Sequence, residues 1–121
     1  MADSNARLGT GDGGSVLSGP MTGLDCIAAL KALGEESRLR ILRLLFKEPL
    51  SVTDITGRLG LSQYNVSKHL RVMREAGLLE SEQRGKLRLY TVSGRLKKQV
   101  AANNNVLDLG CCTFRPDKLP K

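Results

Sequence analysis

Apolar residues recur every three or four positions in the first two thirds of the chain, which is the spacing that places them on one side of an α-helix. The stretches with this spacing cover residues 24–33, 35–46, 52–60 and 62–77. Gly34, Pro49 and Gly60 separate these stretches, and both residue types interrupt helices. The pattern therefore predicts four successive helices. On the first helix, Cys26, Ile27, Leu30 and Leu33 are expected to share the apolar side.

The fourth predicted helix has two different sides. Val66, Leu70 and Met73 form the apolar stripe that docks a helix on a core. The opposite side carries hydroxyl and cationic side chains, namely Tyr64, Ser67, Lys68 and Arg71. Ser62 is a suitable N-cap, and Gly77 suits a left-handed C-terminal cap. The short Gly-containing link to the preceding helix makes the pair a predicted helix-turn-helix, with the fourth helix as the DNA-reading element.

The segments 78–83 and 87–92 read as two strands joined by the turn Arg84-Gly85-Lys86. A cationic hairpin beside a helix-turn-helix is a wing, so Arg84, Lys86 and Arg88 are expected along the minor groove or the phosphates. Residues 93–102 predict a last helix. The fold class expected from this order is mainly α with a small β-hairpin, a winged helix-turn-helix.

The two ends of the chain differ from its middle in composition. Residues 1–23 are rich in Gly, Ser, Asp and Asn and have no apolar period, which predicts a disordered leader, and Met21 is an alternative start. Residues 24–105 then form the DNA-binding and dimerisation domain, and residues 106–121 form a C-terminal tail that contains Cys111 and Cys112.

Charge and aromatic content narrow the class of partner. The chain has 19 basic and 12 acidic residues among 121, a net charge of +7. Nine of the basic residues but only three acids lie between residues 62 and 98, as expected of a phosphate-binding surface. Tyr64, Tyr90, Phe46 and Phe114 are the only aromatic residues, so base stacking on single strands has little support and duplex DNA is favoured. No apolar run is long enough to span a bilayer, and no export signal is visible, which predicts a cytoplasmic protein without membrane contact.

Three stretches of the chain resemble the ArsR/SmtB family of bacterial winged-helix regulators. They are KALGEESRLRILRLL (31–45), VTDITGRLGLSQYNVSKHLRVMREAGLL (52–79) and EQRGKLRLYTV (82–92). The run S-x-x-x-V-S-x-H-L-x-x-M at 62–73 is the most specific match. The resemblance implies a homodimer built from the first and last helices, and two recognition helices that enter successive major grooves of a palindromic double-stranded operator. It also implies repression that an inducer relieves.

The resemblance also assigns DNA-facing positions on the fourth helix. These are Gln63, Tyr64, Asn65, Ser67 and Lys68, with Arg71 one turn further along. Gln63 or Asn65 would read an adenine edge, and Lys68 and Arg71 would reach guanine or phosphate. His69 matches the family's His-Leu pair and is expected to pack or hydrogen-bond beside the apolar stripe.

The metal sites of the best-known family members are absent from this chain. Ser51-Val52-Thr53 occupies the place of a Cys-x-Cys-like pair on the third helix, and the last helix has no His. Cys111, Cys112 and Cys26 remain, and soft thiolates suit As(III) or Sb(III), which are the first-choice inducers. The third thiolate, Cys26, would come from its own or the partner chain. Zn(II), Cd(II) and Pb(II) are less suited, since Zn(II) usually takes four ligands.

Other interpretations of the cysteines stay open at this point. Cys26 would simply pack in the core, and the vicinal pair would lie in a solvated tail with no task. A redox or persulfide switch would instead link Cys26 to one tail cysteine on oxidation. An enzyme, a thiol oxidoreductase or arsenate-reducing protein, is disfavoured because no C-x-x-C and no acid–base pair is present. A winged helix that binds protein is disfavoured because the recognition helix lacks apolar anchors.

Overall fold

The computed structural model describes residues 26–121, so the predicted leader at 1–23 lies outside the described residues. Five α-helices, two antiparallel strand pairs and a short 3-10 turn follow one another along the chain. The helices are α1 (Cys26–Leu33), α2 (Glu36–Lys47), α3 (Val52–Leu59), α4 (Gln63–Glu75) and α5 (Gly94–Ala102). The strands are β1 (Leu79–Arg84), β2 (Leu87–Val92), β3 (Leu107–Asp108) and β4 (Thr113–Phe114), and Pro116–Lys118 forms the 3-10 turn. The predicted winged helix-turn-helix fold is confirmed.

Local side-chain caps fix where the central helices begin. Ser51 caps α3 by accepting from the Asp54 N–H at 3.2 Å, and the Asp54 carboxylate accepts from the Ser51 N–H at 3.1 Å. This reciprocal pair is a capping box, and each bond satisfies a donor that the helix itself leaves free. Ser62 caps α4 through its hydroxyl, which accepts from the Asn65 N–H at 3.1 Å. The predicted cap at Ser62 is therefore confirmed.

One hydrophobic core joins all five helices to the base of the hairpin. The largest fully buried side chains come from α2, α3, α4, β2 and α5, among them Ile41, Leu42, Leu45, Ile55, Leu70, Met73, Val92 and Leu96. The predicted stripe of α4 is buried as expected, with Val66, Leu70 and Met73 at most 1 % exposed. Each such side chain contributes roughly 1.5–3 kcal/mol by leaving water. The polar side of α4 consequently faces outward.

The first helix buries only part of the side expected to be apolar. Ala29, Ala32 and Leu33 pack into the core, whereas Ile27 is 59 % and Leu30 is 37 % exposed. Of the four residues expected to share the apolar side, Leu33 is buried, Cys26 is half-buried, and Ile27 and Leu30 stay exposed. Small alanines allow α1 to approach its neighbours closely, and the larger side chains are left on the outer side of the helix.

The β1–β2 hairpin is anchored at its base by the link between α2 and α3. Leu79 pairs with Val92 and Arg84 with Leu87, which leaves Gly85 and Lys86 as a two-residue turn. Gly85 has φ +60°, a conformation that glycine adopts without strain, as the first position of a type II′ turn requires. Leu50 adds a bridge to the second strand. Its N–H donates to the Tyr90 carbonyl at 3.0 Å, and its carbonyl accepts from the Tyr90 N–H at 2.8 Å. The wing is thus held to the body of the domain.

The segment 106–121 packs on the domain and is not a solvated tail. Strands β3 and β4 pair with Leu107 opposite Phe114, and Leu107, Leu109 and Leu119 are at most 7 % exposed. This contradicts the solvated-tail interpretation of the vicinal cysteines. Apolar residues at 107, 109 and 119 supply the burial that holds so short a segment in place.

Of the helices in residues 26–121, none has the length and apolar character needed to cross a membrane.

Candidate DNA-binding surface and thiol site

Helices α3 and α4 form the helix-turn-helix, joined by the three-residue link Gly60–Ser62. Gly60 ends α3 with φ +70°, in the left-handed region that lets the chain turn sharply. Its N–H donates to the Thr56 carbonyl at 2.9 Å. At the far end of α4, Gly77 has φ +84°, which confirms the predicted left-handed position there. Both ends of the recognition helix are therefore defined by local backbone chemistry.

The polar side chains of α4 form a continuous exposed surface at its N-terminal half. All six positions assigned to DNA contact are exposed, namely Gln63, Tyr64, Asn65, Ser67, Lys68 and Arg71. Tyr64 is 75 % exposed, far more than a packed aromatic ring would be. The first turn of a helix also presents backbone N–H groups that favour phosphate. This surface combines hydrogen-bonding side chains with two cations, as base edges and phosphates require.

The wing presents three exposed cations around its tip. Arg84 lies 3.3 Å from the Glu82 carboxylate, which offsets part of its charge. Arg88 donates to the Ser81 hydroxyl across the hairpin at 3.0 Å, which holds its guanidinium along the strand. Lys86 occupies the second turn position and is exposed. The predicted positions of Arg84, Lys86 and Arg88 on one hairpin are therefore observed.

The only histidine of the chain ties α4 to the start of α2. His69 Nε2 lies 3.4 Å from Glu35 Oε2, and Arg38 Nη1 lies 3.2 Å from His69 Nδ1. Arg38 also donates through Nε to the Ala32 carbonyl at the end of α1. His69 thus has the packing and hydrogen-bonding role expected of it. The sequence did not reveal its two partners, which lie more than 30 residues away.

Burial lowers the pKa of His69 below its usual range. The nearby Glu35 carboxylate raises that pKa, but the Arg38 and Lys68 cations lower it further, and the net direction is down. Burial of Glu35 raises its own pKa, yet the hydrogen bond from the Ser37 N–H and the charges of His69 and Arg38 outweigh it, so the pKa of Glu35 is lowered. The cluster therefore favours a neutral imidazole beside a charged carboxylate and guanidinium.

Cys26 and Cys111 are joined in a disulfide within one chain. Their Cα atoms lie 6.3 Å apart although 85 positions separate them in sequence. Cys112 is a free, half-buried thiol. Across residues 26–121, no three His, Cys, Asp or Glu side chains lie close enough together to hold a metal ion. The structure thus brings two of the three predicted thiol ligands together and leaves Cys112 outside the bond.

Arg43 and a buried glutamine position the segment that carries Cys111. Arg43 Nη1 donates to the main-chain carbonyls of Asp117, at 2.8 Å, and of Leu119. Gln99 on α5 exchanges hydrogen bonds with the backbone of Asp108. The turn that follows is set by Gly110, which has φ +95° and donates to the Asp108 carboxylate at 2.8 Å. Sequence reasoning missed Gln99 and Arg43, and the alternation of Leu107 and Leu109 before Gly110 was the signal available for a strand.

Comparison with known proteins identifies the class that this fold and surface define. A sequence profile described as "Bacterial regulatory protein, arsR family" matches residues 35–81, which span α2, α3, α4 and the start of the wing. The arsenic resistance transcriptional regulator of Pseudomonas putida is 33 % identical over 91 residues, which cover 74 % of this chain and 71 % of that protein. The chain belongs to the ArsR family of bacterial winged-helix transcriptional regulators.

Two further comparisons support this membership. The transcriptional activator HlyU of Vibrio cholerae is 39 % identical over 67 residues, which cover 55 % of this chain and 62 % of HlyU, so the match spans less than two thirds of that protein. The solved structure of HlyU matches this chain with a TM-score of 0.55 and 35 % identity. The match covers 63 % of this chain and 84 % of the HlyU structure. A homodimeric winged helix-turn-helix DNA-binding domain from Mycobacterium bovis covers 63 % of this chain and 70 % of that domain, with a TM-score of 0.57 and 28 % identity. HlyU and the Pseudomonas putida protein are named as transcriptional regulators, not as enzymes.

Proposed function

We propose that this ArsR-family regulator binds a double-stranded operator through the polar side of α4 and the tip of the wing, and that the Cys26–Cys111 pair controls this binding. The exposed row from Gln63 to Arg71 on a helix whose other side is buried carries the first part of the proposal. Cations at Lys86 and Arg88 on the hairpin extend the same surface toward the flanking phosphates.

A homodimer is the form expected to bind DNA. The large apolar side chains of Ile27 and Leu30 are exposed on α1. A second copy packed on α1 would remove their apolar surface from water. The related Mycobacterium bovis domain is described as a homodimer. Two copies would place two α4 helices on half-sites about 34–36 Å apart on one face of the duplex.

The disulfide is the single observation that carries the thiol proposal. It joins α1, which bears the exposed apolar side chains, to the C-terminal segment. In this segment β3 packs against α5 and the 3-10 turn packs against α2. Forming it removes two protons and two electrons from the thiols of Cys26 and Cys111, and a peroxide that accepts them is reduced to water and the corresponding alcohol, or to water alone. The cross-link fixes the position of α1 relative to the segment 106–121. A shift of α1 at the dimer interface would change the distance between the two α4 helices.

Whether the regulator binds DNA then depends on whether Cys26 and Cys111 are reduced or joined in the disulfide. The reduced dimer binds its operator, and the oxidised dimer releases it. A small rotation at the dimer interface suffices, because both recognition helices must dock at once. Coupling of about 1–3 kcal/mol between two such events is typical.

As(III) or Sb(III) is the second candidate inducer, favoured by the same geometry. With both thiols reduced, As(OH)3 would exchange two hydroxides for the sulfurs of Cys26 and Cys111 and release two waters. Cys112 would have to move closer to add a third thiolate. The relative in Pseudomonas putida is named for arsenic resistance. Zn(II), Cd(II) and Pb(II) rank lower, because two or three thiolates leave a Zn(II) site short of its usual four ligands.

Fluorescence anisotropy of the protein on the DNA upstream of its own coding region separates these outcomes. The reduced protein is titrated onto labelled duplex, and hydrogen peroxide, As(III), Sb(III), Cd(II) and Zn(II) are then added in separate experiments. Release by peroxide, reversed by dithiothreitol and lost in the Cys111→Ser variant, is the expected result.

The matched control is Cys112→Ser, which removes the neighbouring thiol and keeps the disulfide pair. Retained peroxide response in this variant supports the disulfide as the switch. Release by As(III) or Sb(III) alone, lost in both variants, would replace oxidation by metalloid capture. Operator binding that none of these reagents changes would leave the DNA-binding proposal standing and remove the thiol proposal.

A further inference from the structure

A cleft of about 420 Å³ opens between α2, α5 and the 3-10 turn, on a side of the domain that the DNA-binding surface does not use. Arg43, Phe46 and Lys47 line it from α2, and Lys97, Val100 and Ala101 line it from α5. Pro116 and Asp117 close it from the C-terminal segment. Small-molecule sites in proteins have volumes of about 300–1,000 Å³ and commonly lie between helices.

The floor of the cleft is apolar. Among the apolar lining residues, Val100 and Pro116 are buried, Phe46 is half-buried and Ala101 is exposed. An apolar surface of this kind favours the hydrocarbon part of a ligand over water.

The rim of the cleft is cationic. Lys47 and Lys97 are exposed, and in the described part of the chain neither ammonium group lies in a hydrogen bond or an ion pair. Arg43 adds a third positive charge while its guanidinium donates to main-chain carbonyls.

The one carboxylate at the rim is already engaged. Asp117 accepts from the Asn105 side-chain amide at 3.3 Å and lies 3.8 Å from the Arg115 guanidinium. The two lysines therefore face the opening without a carboxylate assigned to them, and the local charge favours an anion.

We propose that this cleft binds a small organic anion with an apolar body, an alkyl or aryl carboxylate whose hydrocarbon lies on Phe46, Val100 and Pro116 and whose carboxylate meets Lys47 and Lys97. Such a ligand contacts α2, α5 and the C-terminal segment together. It would hold the 3-10 turn against the domain and constitute an effector site separate from the thiol pair. The site does not depend on the proposed thiol switch.

An NMR titration of the reduced full chain with octanoate tests the site. Octanoate supplies both a carboxylate and an eight-carbon body, and octan-1-ol supplies a body of the same length without the charge. Saturable shifts of backbone amide signals from residues 43–47, 97–105 and 117 are expected with octanoate. Octan-1-ol should bind about tenfold more weakly, because it lacks the interaction with the two ammonium groups.

The double variant Lys47→Gln/Lys97→Gln should reduce octanoate affinity to the level of octan-1-ol. Lys98→Gln/Lys118→Gln is the matched control, since it removes the same charge from α5 and the 3-10 turn at positions outside the cleft lining. Equal octanoate affinity in both double variants would overturn the proposal, as would the absence of saturable shifts. Shifts at these residues that follow protein concentration without ligand would show instead that the cleft is an interface between two copies.

Discussion

Gln99 of α5 and Asp108 of β3 exchange two hydrogen bonds. The Gln99 amide donates to the Asp108 carbonyl at 3.2 Å, and its carbonyl oxygen accepts from the Asp108 N–H at 3.3 Å. A side-chain amide pairs here with a backbone unit as a neighbouring strand would. Gln99 is 2 % exposed, so this pairing is made away from water and holds the segment before Cys111 against the helix.

Replacing Gln99 by Leu should lower the free energy of unfolding by about 1–3 kcal/mol, because the Asp108 N–H and carbonyl lose their partner. Urea unfolding under reducing conditions measures the loss without the disulfide. Amide hydrogen exchange at Asp108 should also become faster. Gln63→Leu is the control at an exposed glutamine and should change stability by less than about 0.5 kcal/mol. Equal effects of the two substitutions would refute the role given to Gln99.

Reducing the Cys26–Cys111 disulfide should lower the free energy of unfolding by about 2–4 kcal/mol, because the bond closes a long loop and restricts the unfolded chain. Denaturant unfolding with and without dithiothreitol provides the measurement. The Cys111→Ser variant should show the lower stability under both conditions, whereas Cys112→Ser should respond to dithiothreitol as the unmodified chain does. A Cys112→Ser variant that no longer responds would show that the pairing is different.

Lowering the pH from 7.5 to 5 should destabilise the fold through His69. The arrangement fits a neutral imidazole that accepts from Arg38 at Nδ1 and donates to Glu35 from Nε2. A second proton, on Nδ1, would remove this acceptor and place a positive charge beside the Arg38 guanidinium. Because the folded-state pKa of His69 is lowered, the unfolded chain binds more protons in this range. The stabilisation is fully present above the usual histidine pKa of about 6.5 and is lost as the pH falls through the lowered value.

Thermal unfolding at several pH values measures this effect, whose slope is at most about 1.4 kcal/mol per pH unit for one proton. The His69→Gln variant should flatten the profile between pH 7.5 and 5, since it leaves the chain without a histidine. The pKa of Glu35 is lowered from its usual value, in part by His69, so its titration falls mainly below this pH range. An unchanged slope in His69→Gln would assign the pH dependence to another group.

Replacing Gln63 by Ala should change base preference at one position of each half-site by about 1–3 kcal/mol if its amide reads a base edge. Binding to a set of operators with single base-pair changes measures it. Lys86→Gln at the wing tip should instead weaken binding to all sequences alike and reduce the salt slope by about 1, as for a phosphate contact. If Gln63→Ala weakens every operator equally, the side chain contacts the backbone of the duplex rather than a base.

The sequence by itself determined the helix-turn-helix and the wing. Ser51, Ser62, Gly77 and Gly85 act within a few residues of their own position, and the period of Val66, Leu70 and Met73 decides which side of α4 is buried. Caps, turns and helix periods depend on neighbouring residues, so they can be read from the order of amino acids.

Only the tertiary structure decided how distant residues meet. The sequence offered Cys26 and two adjacent tail cysteines, and the fold joined Cys26 to Cys111 and left Cys112 free. It likewise brought His69 to Arg38 and Gln99 to Asp108, and it decided that Ile27 on the apolar side of α1 stays exposed. The strands at 107–108 and 113–114 are two residues long, so the alternation of Leu107 and Leu109 was too short to predict a strand. Their place depends on burial of Leu107 and Leu109 against the rest of the domain, a condition set by packing rather than by local sequence.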